Sequence, residues 1–255
     1  MALFRVDHSS VCVKVNLPLY LILPSPAHLK EKSLADFRVL YLLHGLSDDA
    51  SAWQRYTNIE ILARELDLAV IMPSGGRSMY IDMSTGQAYF SYLTEELPEY
   101  LSKLFKLNLT RANTAIAGLS MGGYGAFKAA LLHPERYFAA ASLSGVLSMA
   151  IMSTHPDDER KPEFTHLFGD LDKIAGSLHD PMVWLQRAAQ NPAALPKLFA
   201  ACGRQDDLYP LNRMFKAACE QLGVPLNYHE EDGGHTWPFW DKYIQRFLSL
   251  VLEPD

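Results

Sequence analysis

Thr114-Ala115-Ile116-Ala117-Gly118-Leu119-Ser120-Met121-Gly122-Gly123-Tyr124-Gly125-Ala126 is the stretch on which the reading of this chain turns. A short apolar run ends at Gly118-x-Ser120-x-Gly122, and an Ala/Gly-rich pattern of helical character follows at once. This is the sequence of a strand, a sharp turn carrying a serine, and a helix. Such a turn lifts the hydroxyl above the sheet edge on a strained backbone. Glycine stands two residues to either side because a side chain there would collide with the neighbouring strand or helix. Ser120 is read as a nucleophile, and it needs a base.

Outward from this turn, continuous apolar runs recur at residues 39–43, 68–72, 137–143 and 198–202, with a weaker one at 225–228. Short apolar runs separated by helical patterns are strands covered on both faces, hence a mostly parallel sheet in an α/β domain. Residues 10–24 read differently. Val11, Val13 and Val15 alternate with Cys12, Lys14 and Asn16, and after Pro18 the run Leu19-Tyr20-Leu21-Ile22-Leu23 resumes, which predicts two antiparallel strands at the entry to the sheet. Amphipathic stripes predict helices through Leu97, Tyr100, Leu101, Leu104 and Phe105, and through Leu211, Met214, Phe215, Ala218 and Leu222. Pro98 belongs in the first turn of the former or kinks it. The clearest stripe is Trp240, Tyr243, Ile244, Phe247, Leu248, Val251 and Leu252, with Thr236 as its cap and Pro238 in its first turn. Two segments break the alternation, a long loop over residues 74–88 and an insertion over 146–195 that holds the solvated run 155–162. Ligands of α/β sheets bind beyond the carboxyl ends of the strands. The insertion is therefore read as a lid or pocket wall, or equally as a packing excursion, and the chain as one domain over 1–255.

Composition excludes several classes. Hydrophobic residues at 49% and charged residues at 20% are those of an ordinary globular domain. A net charge of -6 offers no basic face to nucleic acid and no polybasic membrane patch. No apolar run approaches the roughly 20 residues that span a bilayer. The opening residues hold no positive segment followed by an apolar one, so no signal peptide is expected. Cys12, Cys202 and Cys219 are too few and too scattered for a disulfide framework, and a reducing, cytoplasmic setting is expected.

A serine hydroxyl reacts only when a base takes its proton, and that base needs a third group to hold its tautomer. In a strand–turn–helix site of this kind the chain order is Ser, then Asp or Glu, then His. Downstream of Ser120, the run 198–202 ends in Gly203-Arg204-Gln205-Asp206-Asp207, and the last strand is followed by Glu231-Asp232-Gly233-Gly234-His235. Among nine histidines, His235 stands out because glycines precede it and a helix begins just after it. Asp206 and Asp207 cannot both face one imidazole; Asp206 is chosen, in part on the resemblance given below, leaving Asp207 a solvated or loop-stabilising carboxylate. The oxyanion donors are assigned to the backbone N–H groups of Leu46, after the strand at 39–43, and of Met121. His44 is read as a residue that orders this loop. Trp53, Tyr80 and Met121 are read as lining a substrate pocket or, with almost equal weight as apolar residues, as packing. His229, Glu230, Glu231, Asp232 and His235 fit no tight metal-ligand spacing, so neither metal nor cofactor is expected.

Together, His44-Gly45-Leu46-Ser47, Trp53, Tyr92-Leu93-Thr94-Glu95-Glu96-Leu97-Pro98, the stretch 118–126 and Asp232-Gly233-Gly234-His235-Thr236-Trp237 resemble the esterase D family of α/β-hydrolases. That family includes S-formylglutathione hydrolases, tributyrin-type esterases, feruloyl and acetyl-xylan esterases, and mycolyltransferases. The resemblance covers nearly the whole chain and implies an α/β-hydrolase fold with Ser120, Asp206 and His235 as the triad. Residues 73–92 are shorter than the corresponding loop of S-formylglutathione hydrolases, so within the family the chain is most similar to the tributyrin-type enzymes. Relatives often assemble, which leaves a homo-oligomer open.

The leading expectation is a serine carboxylesterase acting on small, short-chain acyl esters through an acyl-enzyme. The alternatives are a thioesterase acting on S-formylglutathione, a carbohydrate acetyl or feruloyl esterase, an acyltransferase to an alcohol, and a catalytically silent binding protein. A broken triad would mark the last, and here every element is present.

Overall fold

A computed structural model describes residues 1–29, 32–149 and 159–252. Its strands are β1 (Ala2–Ser9), β2 (Asn16–Leu23), β3 (Arg38–Leu43), β4 (Leu68–Pro73), β5 (Thr114–Leu119), β6 (Ala139–Leu143), β7 (Lys197–Gly203) and β8 (Asn227–Glu231). They form one eight-stranded sheet in the order β1-β2-β4-β3-β5-β6-β7-β8. β1 pairs with β2, and β2 with β4, antiparallel; every later pairing is parallel. The fold is that of an α/β-hydrolase.

Both faces of the sheet are covered, which is why its strands read as unbroken apolar runs. Val39, Tyr41 and Leu43 of β3 enter one core, while Leu40 and Leu42 enter the other. The first core is closed by α3 (Leu97–Phe105), α4 (Met121–Leu132), α6 (Pro181–Ala188) and α7 (Tyr209–Leu222), with Phe127, Trp184 and Phe215 fully buried. The second is closed by α1 (Ala52–Tyr56), α2 (Ile59–Glu65) and α8 (Trp237–Leu252), through Trp53, Ile59, Tyr243 and Phe247. Burying a side chain of this size is worth about 2 kcal/mol. α5 (Lys161–Phe168) belongs to the 146–195 segment.

The antiparallel entry is present, but its first strand is Ala2–Ser9, not residues 10–16. Residues 10–15 are the connection. Lys14 is left-handed at φ 64°, and the amides of Val11 and Cys12 donate to the Glu96 carboxylate at 2.8 and 2.9 Å rather than to a strand. Val11 and Val15 alternate with polar neighbours yet point to solvent. Pro98 is accommodated by a wide turn just before α3, in which the Leu97 N–H reaches back to the Tyr92 carbonyl. The first half of the solvated run 155–162, residues 155–158, lies outside the described residues.

Candidate active site

The parallel register sets the carboxyl ends of β3, β5, β6, β7 and β8 side by side. Leu43 pairs with Gly118, Leu119 with Leu143, and Gly203 with Glu231. Every residue given a chemical role by the sequence lies just beyond one of these ends.

Ser120 sits between β5 and α4 at φ 53°, ψ −118°, a region that non-glycine residues rarely occupy. The surroundings hold it there. Its N–H donates to the Leu143 carbonyl at 2.8 Å, and its own carbonyl accepts from the Tyr124 N–H at 3.2 Å. Close approach explains the flanking glycines: a Cβ on Gly118 would lie 2.3 Å from the Gly122 carbonyl carbon, and one on Gly122 would lie 2.3 Å from the Leu43 oxygen.

Asp206 follows β7 and is 4% exposed. One carboxylate oxygen lies 2.8 Å from His235 Nδ1, and the other accepts the Leu208 N–H at 2.8 Å. The Ser144 hydroxyl also donates to it, while Trp240 Nε1 donates to Ser144 Oγ at 3.1 Å. Burial raises the Asp206 pKa, but the bonds from His235, Ser144 and Leu208 outweigh it and hold the carboxyl below its ordinary value. An ionised carboxylate can only accept, so Nδ1 carries the proton and Nε2 is left as the basic nitrogen. The imidazole also meets the Trp240 indole edge-on, with ring centres 4.8 Å apart. Asp207, in contrast, is exposed and makes no bond to His235 among the described residues.

His44 is 1% exposed, and its tautomer is settled by its partners. The Gly75 N–H donates to Nε2 at 2.9 Å, so Nδ1 bears the hydrogen and donates to the Gly45 carbonyl at 2.8 Å. Burial lowers the His44 pKa and keeps it neutral. That carbonyl also accepts from the Asp48 N–H, and it shares a peptide plane with the Leu46 N–H. His44 therefore orders the loop by fixing the plane of the Leu46 amide. Among the described residues, neither the Leu46 nor the Met121 N–H has a protein acceptor.

Ser120, Asp206, His235, Leu46 and Met121 all line one cavity of about 280 Å³. Its walls add Met79, Val146, Phe164 and Leu208, with Arg160 and Asp207 as charged members. A larger concavity, about 720 Å³, opens at the opposite ends of β7 and β8 among Pro192, Leu198, Leu226 and Leu250, and holds none of this chemistry. Trp53 and Tyr80 do not line the smaller cavity. Trp53 is 1% exposed, bonded through Nε1 to the Leu43 carbonyl and packed edge-on against Trp237. Tyr80 is equally buried, and its hydroxyl accepts the His44 N–H at 3.0 Å. Met79 and Tyr80 are both left-handed, at φ 53° and 48°, so the chain turns between them and Met79 takes the wall. Sequence reasoning missed Met79, Phe164, Leu208 and Ser144; only Ser144 carried a signal, as a hydroxyl just past a buried strand.

Among the described residues no group of three or more His, Cys, Asp or Glu side chains could hold a metal ion. His229 packs on Phe199 and Tyr243, while Glu230 and Glu231 pair with Arg213 and Lys242.

The family model described as "Putative esterase" matches residues 10–248. The acetyl esterase of Caldicellulosiruptor saccharolyticus is 32% identical over 254 residues, 96% of each chain. Two solved structures from Staphylococcus aureus, the fluorophosphonate-binding serine hydrolase FphF and the S-formylglutathione hydrolase FrmB, are each 33% identical over 99% of both chains, with TM-scores of 0.89 and 0.87. Matched along nearly its whole length, the chain belongs to this esterase family of α/β-hydrolases and is an ester hydrolase.

Proposed function

We propose that the protein is a serine carboxylesterase for short-chain acyl esters, with Ser120 as nucleophile, His235 as general base and acid, and Asp206 as the group that orients it. The observation that carries this reading is the 2.8 Å His235–Asp206 pair opening into the same cavity as Ser120. Ser120 Oγ attacks the ester carbonyl as His235 Nε2 takes its proton, and Asp206 stabilises the imidazolium. The N–H groups of Leu46 and Met121 receive the oxyanion, each worth about 3 kcal/mol in the transition state. His235 returns the proton to the leaving alkoxide and the alcohol departs. Water, deprotonated by His235, then hydrolyses the acyl-enzyme.

A cavity of about 280 Å³ lies at the small end of ligand sites and suits a short acyl chain among Leu46, Met79, Met121, Val146, Phe164 and Leu208. The His235 side chain is 37% exposed, which favours water over an alcohol as acceptor. A thioester substrate is the second reading, favoured by the likeness to the S-formylglutathione hydrolase FrmB. The three unpaired cysteines support a reducing compartment, the cytoplasm, as the place of work, and a homo-oligomer is carried over from the resemblance alone.

Initial rates on p-nitrophenyl acetate through octanoate, tributyrin, a feruloyl ester, an acetylated sugar and S-formylglutathione test the substrate class. Highest kcat/KM on acetate to butanoate supports the reading. A preference for the thioester by more than about tenfold overturns the ester in favour of the second reading.

A further inference from the structure

The walls of the cavity belong to separate segments: the loop 44–49 with Leu46, the loop 74–88 with Met79, and α5 with Phe164. One side chain joins all three. Arg77, two residues before Met79, donates from Nε to one Glu163 oxygen at 2.6 Å and from Nη2 to the other at 2.8 Å. Its third nitrogen, Nη1, donates to the Leu46 carbonyl at 3.3 Å. Glu163 stands in the first turn of α5, beside Phe164. The last turn is tied to the same loop, because the Ser84 N–H donates to the Leu167 carbonyl at 2.8 Å and the Ser84 hydroxyl to that of His166 at 2.9 Å. α5 is thus strapped at both ends by the segment that carries Met79.

An isolated pair at this exposure contributes little to stability. Its geometry is another matter. A two-pronged guanidinium–carboxylate contact fixes both distance and plane, which a lysine ammonium cannot do. The third prong falls on the residue whose amide faces the developing oxyanion in the proposed mechanism.

We propose that Arg77 is a positioning residue that holds the Phe164 wall of α5 against the Leu46 loop and so limits the length of acyl chain the site accepts. This rests on the serine esterase reading above. Without the guanidinium, α5 loses the anchor of its first turn and the Leu46 carbonyl, in the peptide that follows the one bearing the Leu46 N–H, loses a donor. The acyl wall then opens, and the oxyanion amide is held less tightly.

The test is the chain-length profile, read as separate kcat and KM values on p-nitrophenyl acetate and hexanoate. Arg77→Gln is expected to lower kcat on acetate by about tenfold and to raise the hexanoate-to-acetate ratio of kcat/KM by about tenfold. Glu163→Gln leaves the Leu46 bond available, so it raises the ratio similarly with a kcat loss at least about threefold smaller. Arg77→Glu combined with Glu163→Arg rebuilds the ion pair without the donor to Leu46, and should restore the ratio to within about threefold of wild type while kcat stays low. A loose fold would not produce that split. If Arg77→Gln is insoluble, Arg77→Lys keeps the charge, loses the fork and must shift the ratio in the same direction. The proposal is overturned if Arg77→Gln and Glu163→Gln leave the ratio within about twofold of wild type or lower every chain length equally, or if the charge exchange fails to recover the ratio. Ser120→Ala, run in parallel, separates the two levels: full activity there sinks the esterase reading, not the Arg77 assignment alone.

Discussion

Asp206 and Asp207 are adjacent in sequence and have opposite fates in the fold. Asp206 is buried, with its oxygens taken by His235, Leu208 and Ser144; Asp207 stands at the cavity rim. Asp206→Asn should lower kcat by about 10⁴-fold by disturbing the imidazole tautomer, and Asp207→Asn by less than about tenfold. Steady-state kinetics of the two purified variants decide the matter, and equal losses would remove Asp206 from the site. His44 makes a second residue-scale case. His44→Ala leaves the Gly75 N–H buried without an acceptor and frees the Gly45–Leu46 peptide, so a loss of about 2 kcal/mol in urea unfolding should accompany a kcat drop of roughly tenfold. That Ser120, Asp206 and His235 would stand just past neighbouring strand ends was legible, because few arrangements of Ser, Asp and His follow strand ends in that order. Trp53 and Tyr80 were misread because a large aromatic near the site is as readily packing as wall. The left-handed pair Met79–Tyr80 decided which side chain turned inward, and no one-dimensional pattern records that turn.

At the scale of the element, the helix after Ser120 is the most constrained part of the fold. α4 is buried at nearly every residue, and its second residue, Gly122, lies against the β3 strand end. Gly122→Ala would press a methyl into the Leu43 carbonyl, costing on the order of 3 kcal/mol and displacing the serine turn. Chemical denaturation measures the first effect and esterase rate the second. The one charged residue of α4, Lys128, is buried with the rest, 3% exposed, with Nζ 4.5 Å from the Phe90 ring centre. Burial outweighs the attraction of Asp82 and pulls its pKa from 10.5 to about 7, while nearby His179 is lowered to about 4. The unfolded chain therefore binds the Lys128 proton up to about pH 10 while the folded chain releases it near 7. Stability should rise with pH across that window by up to about 1.4 kcal/mol per unit. Lys128→Met should flatten the rise and stabilise the protein at neutral pH, as read from unfolding curves at pH 6, 8 and 10. Strands were legible as elements because burial on both faces leaves an unbroken apolar run. The first strand was not, since Ala2–Ser9 mixes Arg5, Asp7 and His8 with apolar residues at a sheet edge, where one side meets water.

Across the whole molecule, the sheet acts as an alignment device. Five neighbouring parallel strands end on one edge, and each passes into a residue of the site or its support: Leu46, Ser120, Ser144, Asp206 and His235. That convergence followed from the sequence once the strand ends were placed, because parallel strands put all their carboxyl ends on one side. The side chains of the pocket wall did not: the 146–195 segment read as wall or packing alike, and Phe164 of α5 reaches the site through tertiary contacts of that segment with the loop 74–88. The same convergence makes the central claim, that Ser120 is the acylated residue, open to one direct measurement. Treatment with a fluorophosphonate, followed by intact-protein and peptide mass spectrometry, should give a single adduct on the peptide containing Ser120. The adduct should vanish in Ser120→Ala, form slowly in His235→Ala, and track loss of esterase activity one for one. An adduct at another residue, or a folded Ser120→Ala protein that still labels and hydrolyses esters at the wild-type rate, would contradict the account.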